Sequence, residues 1–334
     1  MTINRLLKFT LVFTLAVILM GAYTRLSDAG LGCPDWPGCY GHLTVPSTAQ
    51  DVASANQQFP ERALEQDKAW LEMIHRYIAG LLGLMVLAIL IISLRTQNAP
   101  KKLPMAIAAL ILFQAALGMW TVTMKLMPVI VMAHLIGGFS LFCLLFLLYL
   151  RHQPLEAAHA DIHANPNLTT NARKLAPLAL ASLAILVIQI ILGGWTSSNY
   201  AALACTSLPI CEGNWMDNLS PIQAFSLWQG EHESYEFGVL DYAARMTIHV
   251  SHRIWAVVTA VTLGYLAFKL ISTGSTTLRK SAWVLLALLT LQLLLGVSNI
   301  VMHLPLGIAV SHNGGAALLL LSVVFINYSL WRKA

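Results

Sequence analysis

Residues 21–41 read GAYTRLSDAGLGCPDWPGCYG, and 172 positions later residues 193–213 read GGWTSSNYAALACTSLPICEG. Gly21, Thr24, Cys33, Pro37, Cys39 and Gly41 meet Gly193, Thr196, Cys205, Pro209, Cys211 and Gly213. The match continues as HR at 75–76 and 252–253. At an offset of 178 it returns as Gln114, Gly118, Met124, His134 and Gly137 against Gln292, Gly296, Met302, His312 and Gly315. One unit has been duplicated.

Of the 334 residues, 57% are hydrophobic and 10% charged, against about 25% charged in an ordinary soluble domain. Mean hydropathy is +0.68. A soluble globular enzyme is excluded. Apolar runs at about 6–26, 71–95, 104–126, 129–151, 175–198, 243–269, 281–302 and 308–331 are each long enough to cross a bilayer as helix. The expected fold is an all-α polytopic membrane protein whose eight transmembrane helices form two parallel-repeated four-helix bundles. The halves are 1–151 and 175–334, with a linker at 152–174. Each half holds an even number of helices, so the two are parallel and related by an axis near the membrane normal. The first run, preceded by Arg5 and Lys8, has the outline of a cleaved signal peptide. Its counterpart in the fifth run argues that it is retained.

Thirteen of the 20 Lys and Arg lie at the termini and in the loops of one side, with two of the 15 acids. The positive-inside rule makes that side cytoplasmic, which places both termini there in a cell inner membrane. The net charge of +5 thus reports topology. It implies membrane lipid around the chain and no nucleic-acid partner.

Cys33 with Cys39, and Cys205 with Cys211, fall in the loops of the opposite, oxidising side, where such pairs become disulfides. The spacing is too wide for a CxxC metal site, and no His intervenes. Cys143 lies mid-helix and reads as packing.

His75, His134, His252 and His312 occupy the second, fourth, sixth and eighth runs. Each lies roughly 6–14 Å from the outer end of its expected helix at 1.5 Å per residue. A lone intramembrane His is usually a hydrogen-bonded core residue, but four in repeated pairs suit an iron porphyrin held between imidazoles in a bundle core. Arg76 and Arg253 follow two of them and suit haem propionates. Their other reading is snorkelling to the interface. Gly80, Gly137, Gly138, Gly314 and Gly315 could admit a macrocycle or merely tight helix packing.

The halves differ at one place beside these ligands. Aligning the HR pairs sets Glu72 opposite His249, each three residues before the ligand and on the same helix face. An ionisable group within a membrane helix is a functional candidate, against the plainer role of a structural hydrogen bond. One half is suited to a haem that reacts, the other to a haem that carries electrons.

The pieces TRLSDAGLGCPDWPGC (24–39), EMIHRYIAG (72–80), HLIGG (134–138), HVSHR (249–253) and SHNGG (311–315), in order within eight helices, resemble the haem A synthase family. The resemblance implies an oxidoreductase that converts a methyl group of haem O to the formyl group of haem A for haem-copper oxidases. It does so by two two-electron oxidations, with the oxygen from water. It further implies that His252 and His312 ligate a haem b cofactor, that His75 and His134 face substrate haem, and that Glu72 takes part in the oxidation. An electron acceptor and a pairing with haem O synthase are implied partners that leave no residue pattern. A di-haem b cytochrome in quinol electron transfer would use the same histidines and leave Glu72 unexplained. A haem transporter is disfavoured by the scarcity of polar residues at mid-depth. The aromatic and acidic stretch SLWQGEHESYEFGVLDY (226–242) is a candidate for short interfacial helices.

Overall fold

The computed structural model describes residues 3–97, 100–153, 172–211 and 213–331, and among these all extended regular structure is helical. His159, His163, most of the 152–174 linker, Arg332 and Lys333 lie outside the described residues. In chain order the helices are α1 (Ile3–Leu26), α2 (Ala49–Gln58), α3 (Gln66–Arg95), α4 (Lys102–Thr123) and α5 (Pro128–Arg151). There follow α6 (Ala176–Ser198), α7 (Pro221–Ala224), α8 (Tyr242–Ile271), α9 (Thr276–Val301) and α10 (Leu306–Trp331). Among the described residues, eight of them, all but α2 and α7, are long and apolar enough to cross a membrane.

Local chemistry explains the helix ends. Asp241 caps α8 by accepting from Ala244 N–H at 2.8 Å, Ser275 caps α9 from Leu278 N–H at 3.2 Å, and Thr48 caps α2 from Asp51 N–H at 3.1 Å. The α4–α5 hairpin turns through Lys125 and Leu126 with φ of 52° and 65°. The α9–α10 hairpin turns through His303 and Leu304 with φ of 58° and 62°, at the positions matched by the 178-residue offset. Helix α3 begins at Gln66, five residues before the apolar run. That first polar turn carries Asp67, favoured at the positive end of the helix dipole, and hydropathy cannot see it.

Helix α1 packs on α3 and α5, α3 on α4, and α4 on α5. Correspondingly, α6 packs on α8 and α10, α8 on α9, and α9 on α10. Across the halves, α1 meets α10 and α5 meets α6. Each half has its own apolar core. One contains Leu7, Val86, Ile107, Leu145 and Leu148. The other contains Leu263, Leu285, Val323 and Ile326 and takes in Phe139 and Phe142 from α5. Large apolar side chains such as Val12, Leu112, Val261 and Phe268 face outward, as an apolar solvent requires.

At the ends of α1 and α6, Arg25 donates to the Ser197 carbonyl at 2.9 Å and lies over the Tyr200 ring. Farther out, Arg62 pairs with Glu236 through two bonds of 2.8 and 3.2 Å, joining the two outer loops. The expected helices within 226–242 are absent before Tyr242. Gly230, Phe237 and Gly238 turn the chain with φ of 85°, 65° and 80°, and Tyr235 N–H donates to the Lys125 carbonyl at 3.0 Å. Left-handed turns and a backbone tether to the neighbouring hairpin override the aromatic pattern. The short helical segments lie earlier, in a 3-10 turn at Trp215–Asn218 and in α7.

Candidate functional site

His75 is nine residues into α3 beyond Gln66 and His252 ten into α8 beyond Tyr242, whereas His134 and His312 each lie six beyond the first residue of α5 and α10. They form two interacting pairs, His75 with His134 and His252 with His312.

Every one of these rings rests on a glycine of the helix beside it. A β-carbon placed on Gly21 would stand 2.8 Å from His75 Cε1, and one on Gly118 would stand 3.5 Å from His134 Cε1. In the second half, Gly193 would come within 3.1 Å of His252 Cε1 and Gly296 within 3.3 Å of His312 Cε1. The sequence displays these glycines as repeat positions, but only the packing reveals them as ring rests. Of the glycines singled out earlier, Gly80 and Gly138 meet nothing within 4 Å, while Gly314 lies under Leu19. Gly137 and Gly315 lie under Gln114 and Gln292.

This arrangement fits a porphyrin. Among the described residues, no group of three His, Cys, Asp or Glu side chains could hold a metal ion, whereas an iron that brings four equatorial nitrogens needs only two axial imidazoles. The Nδ1 atom of His75 is buried without a hydrogen-bond partner. The Nδ1 atoms of His134 and His312 are likewise buried without a partner, and Gln292 donates to the His312 carbonyl at 2.8 Å.

One turn outward, Glu72 is 5% exposed. Its Oε2 accepts from Cys33 N–H at 2.9 Å and its Oε1 from Arg76 at 2.5 Å. Arg76 also donates to the Asp35 carbonyl at 3.0 Å, the Pro37 carbonyl at 3.3 Å and the Gly38 carbonyl. Both expected disulfides are present, Cys33 with Cys39 and Cys205 with Cys211, and Cys143 is free. The carboxylate and the guanidinium therefore bind one small disulfide-closed loop to α3.

The other half repeats the plan with a different acceptor. Arg253 donates to the carbonyls of Ser207 (2.7 Å) and Ile210, which sit 172 positions after Asp35 and Gly38, and to that of Cys205 (2.5 Å). Its Nε donates to His249 Nε2 at 3.0 Å. His249 is thus a hydrogen-bond acceptor for Arg253 through the nitrogen an iron would need. The sequence points Arg76 and Arg253 at propionates, whereas the structure turns both guanidinium groups toward the loops. Each arginine follows its ligand by one residue, and a step of about 100° around the helix carries it to a different face.

The family model described as cytochrome oxidase assembly protein (COX15-CtaA) matches residues 4–324. The heme A synthase of Shewanella oneidensis is 64% identical over 334 residues, covering 100% of this chain and 98% of the relative. More distant heme A synthases are 25% identical in Nitrosospira multiformis, over 95% of this chain and 90% of the relative, and 26% in Rickettsia bellii, over 99% of both. With the match spanning the helices, both disulfide loops and all four histidines, the chain belongs to the COX15-CtaA family of cytochrome oxidase assembly proteins, together with the heme A synthases.

Proposed function

We propose that this protein is a haem A synthase, a membrane oxidoreductase that takes haem O as substrate and oxidises one of its methyl groups to a formyl group. The observation that carries the reading is a carboxylate beside only one of two similar imidazole pairs. The match to named heme A synthases over the full chain supports the same reading.

The N-terminal half, 1–151, is the substrate half, with His75 and His134 facing haem O. The C-terminal half, 175–334, carries His252 and His312, which would hold a resident haem b, and 152–174 is the cytoplasmic linker. The halves are parallel repeats in the inner membrane with both termini cytoplasmic. A bound haem b supplies one-electron transfer between the substrate half and an acceptor. Arg76 and Arg253 brace the outer loops over each site.

Glu72 is suited to proton handling. Each carboxylate oxygen has two acceptor positions, and the Cys33 N–H and Arg76 bonds occupy one on each. The remaining positions can accept a proton or orient water while the anchored oxygens fix the carboxylate in place. His75, one turn inward on the same face, aligns the substrate with it.

Pigment analysis of the purified protein tests the reading. One tightly held haem b with smaller amounts of haem O and haem A is expected. Two equivalent haems b would indicate the cytochrome, and no pigment would indicate the transporter.

A further inference from the structure

Arg25 meets its own repeat counterpart. It stands on α1 one turn beyond Gly21, and Ser197, 172 positions later, stands on α6 one turn beyond Gly193. Arg25 Nη2 donates to the Ser197 carbonyl at 2.9 Å. The guanidinium lies 4.1 Å from the centre of the Tyr200 ring. Tyr200 is the counterpart of Asp28, whose carboxylate stands 4.0 Å from Arg25 on its own side. Residues that touch their own counterparts lie where two related halves face each other across a common axis. A second arginine at 197 would face the first at close range, so only one half can put a cation there.

That charge is left largely uncompensated. The Arg25 side chain is 15% exposed, and its Nε is buried without a partner. The Asp28 carboxylate is 42% exposed and, at 4.0 Å, beyond hydrogen-bond distance. Arg62, by contrast, meets Glu236 through two bonds, and a brace between the halves is served by such a neutral pair. Arg25 is held by a carbonyl and an aromatic face, which fix a cation without cancelling it. Gly21 and Gly193 support the rings of His75 and His252. The residue that carries the cation is therefore one turn, about 6 Å along the helix, outward of one ring rest, and the carbonyl that receives it is one turn outward of the other.

We propose that Arg25 is a tuning charge between the two haem sites, which holds the midpoint potential of the resident haem b high. The inference rests on the reading that His252 and His312 hold that haem. Reduction of a ferric porphyrin removes one positive charge, so a fixed cation nearby favours the ferrous form. In surroundings that exclude water, salt screens this effect little. A cofactor that is easier to reduce suits the half that receives electrons from the other.

The experiment uses the full-length purified protein and reads the midpoint potential of haem b by optical redox titration. A unit charge about 10 Å away, at an effective dielectric of about 20, changes the ferrous-to-ferric ratio roughly tenfold. Arg25→Gln should therefore lower the midpoint by about 59 mV. Arg25→Lys keeps the charge but loses the planar fork, and it should stay close to wild type. Arg25→Ser combined with Ser197→Arg returns the charge from the other half and should recover the wild-type potential. An unmoved potential in Arg25→Gln, an equal fall in Arg25→Lys, or a swap as low as Arg25→Gln overturns the proposal. If Arg25→Gln does not hold haem b, Asp28→Asn decides. It removes the opposing carboxylate at a left-handed position, φ 51°, that asparagine accepts. The midpoint must then rise, and no rise overturns the proposal. His252→Ala separates the two levels. If it loses haem b while the Arg25 variants keep wild-type potentials, only this inference fails. If it and His312→Ala keep normal haem b, the assignment beneath it fails.

Discussion

At the outer end of α3 an arginine joins a glutamate to a disulfide loop, and at the matched end of α8 an arginine joins a histidine to the other. The scaffolds coincide down to the carbonyls that receive the guanidinium, at Asp35 and Gly38 in one loop and Ser207 and Ile210 in the other. The acceptor on the helix has changed, and a third loop carbonyl differs, Pro37 for Arg76 and Cys205 for Arg253. A carboxylate can take up and return a proton beside a reacting methyl group; a histidine whose Nε2 accepts from Arg253 serves to hold its loop. On the proposed reading, the exchange of one acceptor is what makes two similar sites chemically different.

The largest effect tests which half keeps the cofactor. His252→Ala or His312→Ala should remove most of the tightly bound haem b, because a six-coordinate iron loses an axial ligand that its apolar surroundings cannot replace. Difference spectra of the purified variants read this directly. Normal haem b in both would place the cofactor against His75 and His134 and invert the comparison.

The next effect tests the acceptor itself. Glu72→Gln retains the size and a hydrogen-bonding end but removes the proton acceptor. Haem A should fall by about 10²–10⁴-fold, the usual contribution of a general acid or base. Haem O or a half-oxidised alcohol form should accumulate while haem b stays. Near-normal haem A by chromatography of extracted pigments would confine Glu72 to bracing the loop.

Much of this was legible in the chain because membrane helices announce themselves by unbroken apolar runs and because the duplication marks its own chemistry twice. The eight long helices, both disulfides and the Glu72–His249 exchange come from those two signals. Hydropathy could not show the polar first turn of α3, nor could aromatic content show that left-handed turns at Gly230, Phe237 and Gly238 keep 226–241 out of helix. Side-chain direction was also hidden. Arg76 and Arg253 look like propionate partners by type and adjacency, but one residue around a helix aims them at the loops. Likewise Gly21, Gly118, Gly193 and Gly296 read as repeat markers until packing placed a histidine ring on each.

Those ring rests give a smaller effect that compares positions within one half. An alanine methyl at Gly21 would press on His75 at 2.8 Å, whereas one at Gly118 would meet His134 at an ordinary 3.5 Å. Overpacking of this kind costs about 1–3 kcal/mol. Gly21→Ala should lower both the thermal transition and haem A yield, with Gly118→Ala close to wild type. Equal behaviour of the two would show that the rings find room elsewhere and that the glycines do not set their positions.

The smallest effect concerns what joins the halves outside the membrane. Arg62 and Glu236 make a two-bond pair at 2.8 and 3.2 Å with side chains 28% and 9% exposed. Burial works against the Arg62 cation, yet the hydrogen bond and charge of Glu236 outweigh it and hold its pKa above the ordinary arginine value. Ion pairs near a surface contribute about 0.2–1 kcal/mol, with good bidentate geometry at the upper end. A double-mutant cycle of Arg62→Ala and Glu236→Ala, read as thermal unfolding in detergent, should therefore give a coupling of about 1 kcal/mol. Haem b and haem A should remain near wild type, because the contacts of α1 with α10 and of α5 with α6 still hold the halves together. A tenfold loss of haem A without loss of haem b would assign the pair a different task. It would mean that the outer loop of the second half, tethered at Tyr235 to the α4–α5 turn, must stay in place for the first half to turn over.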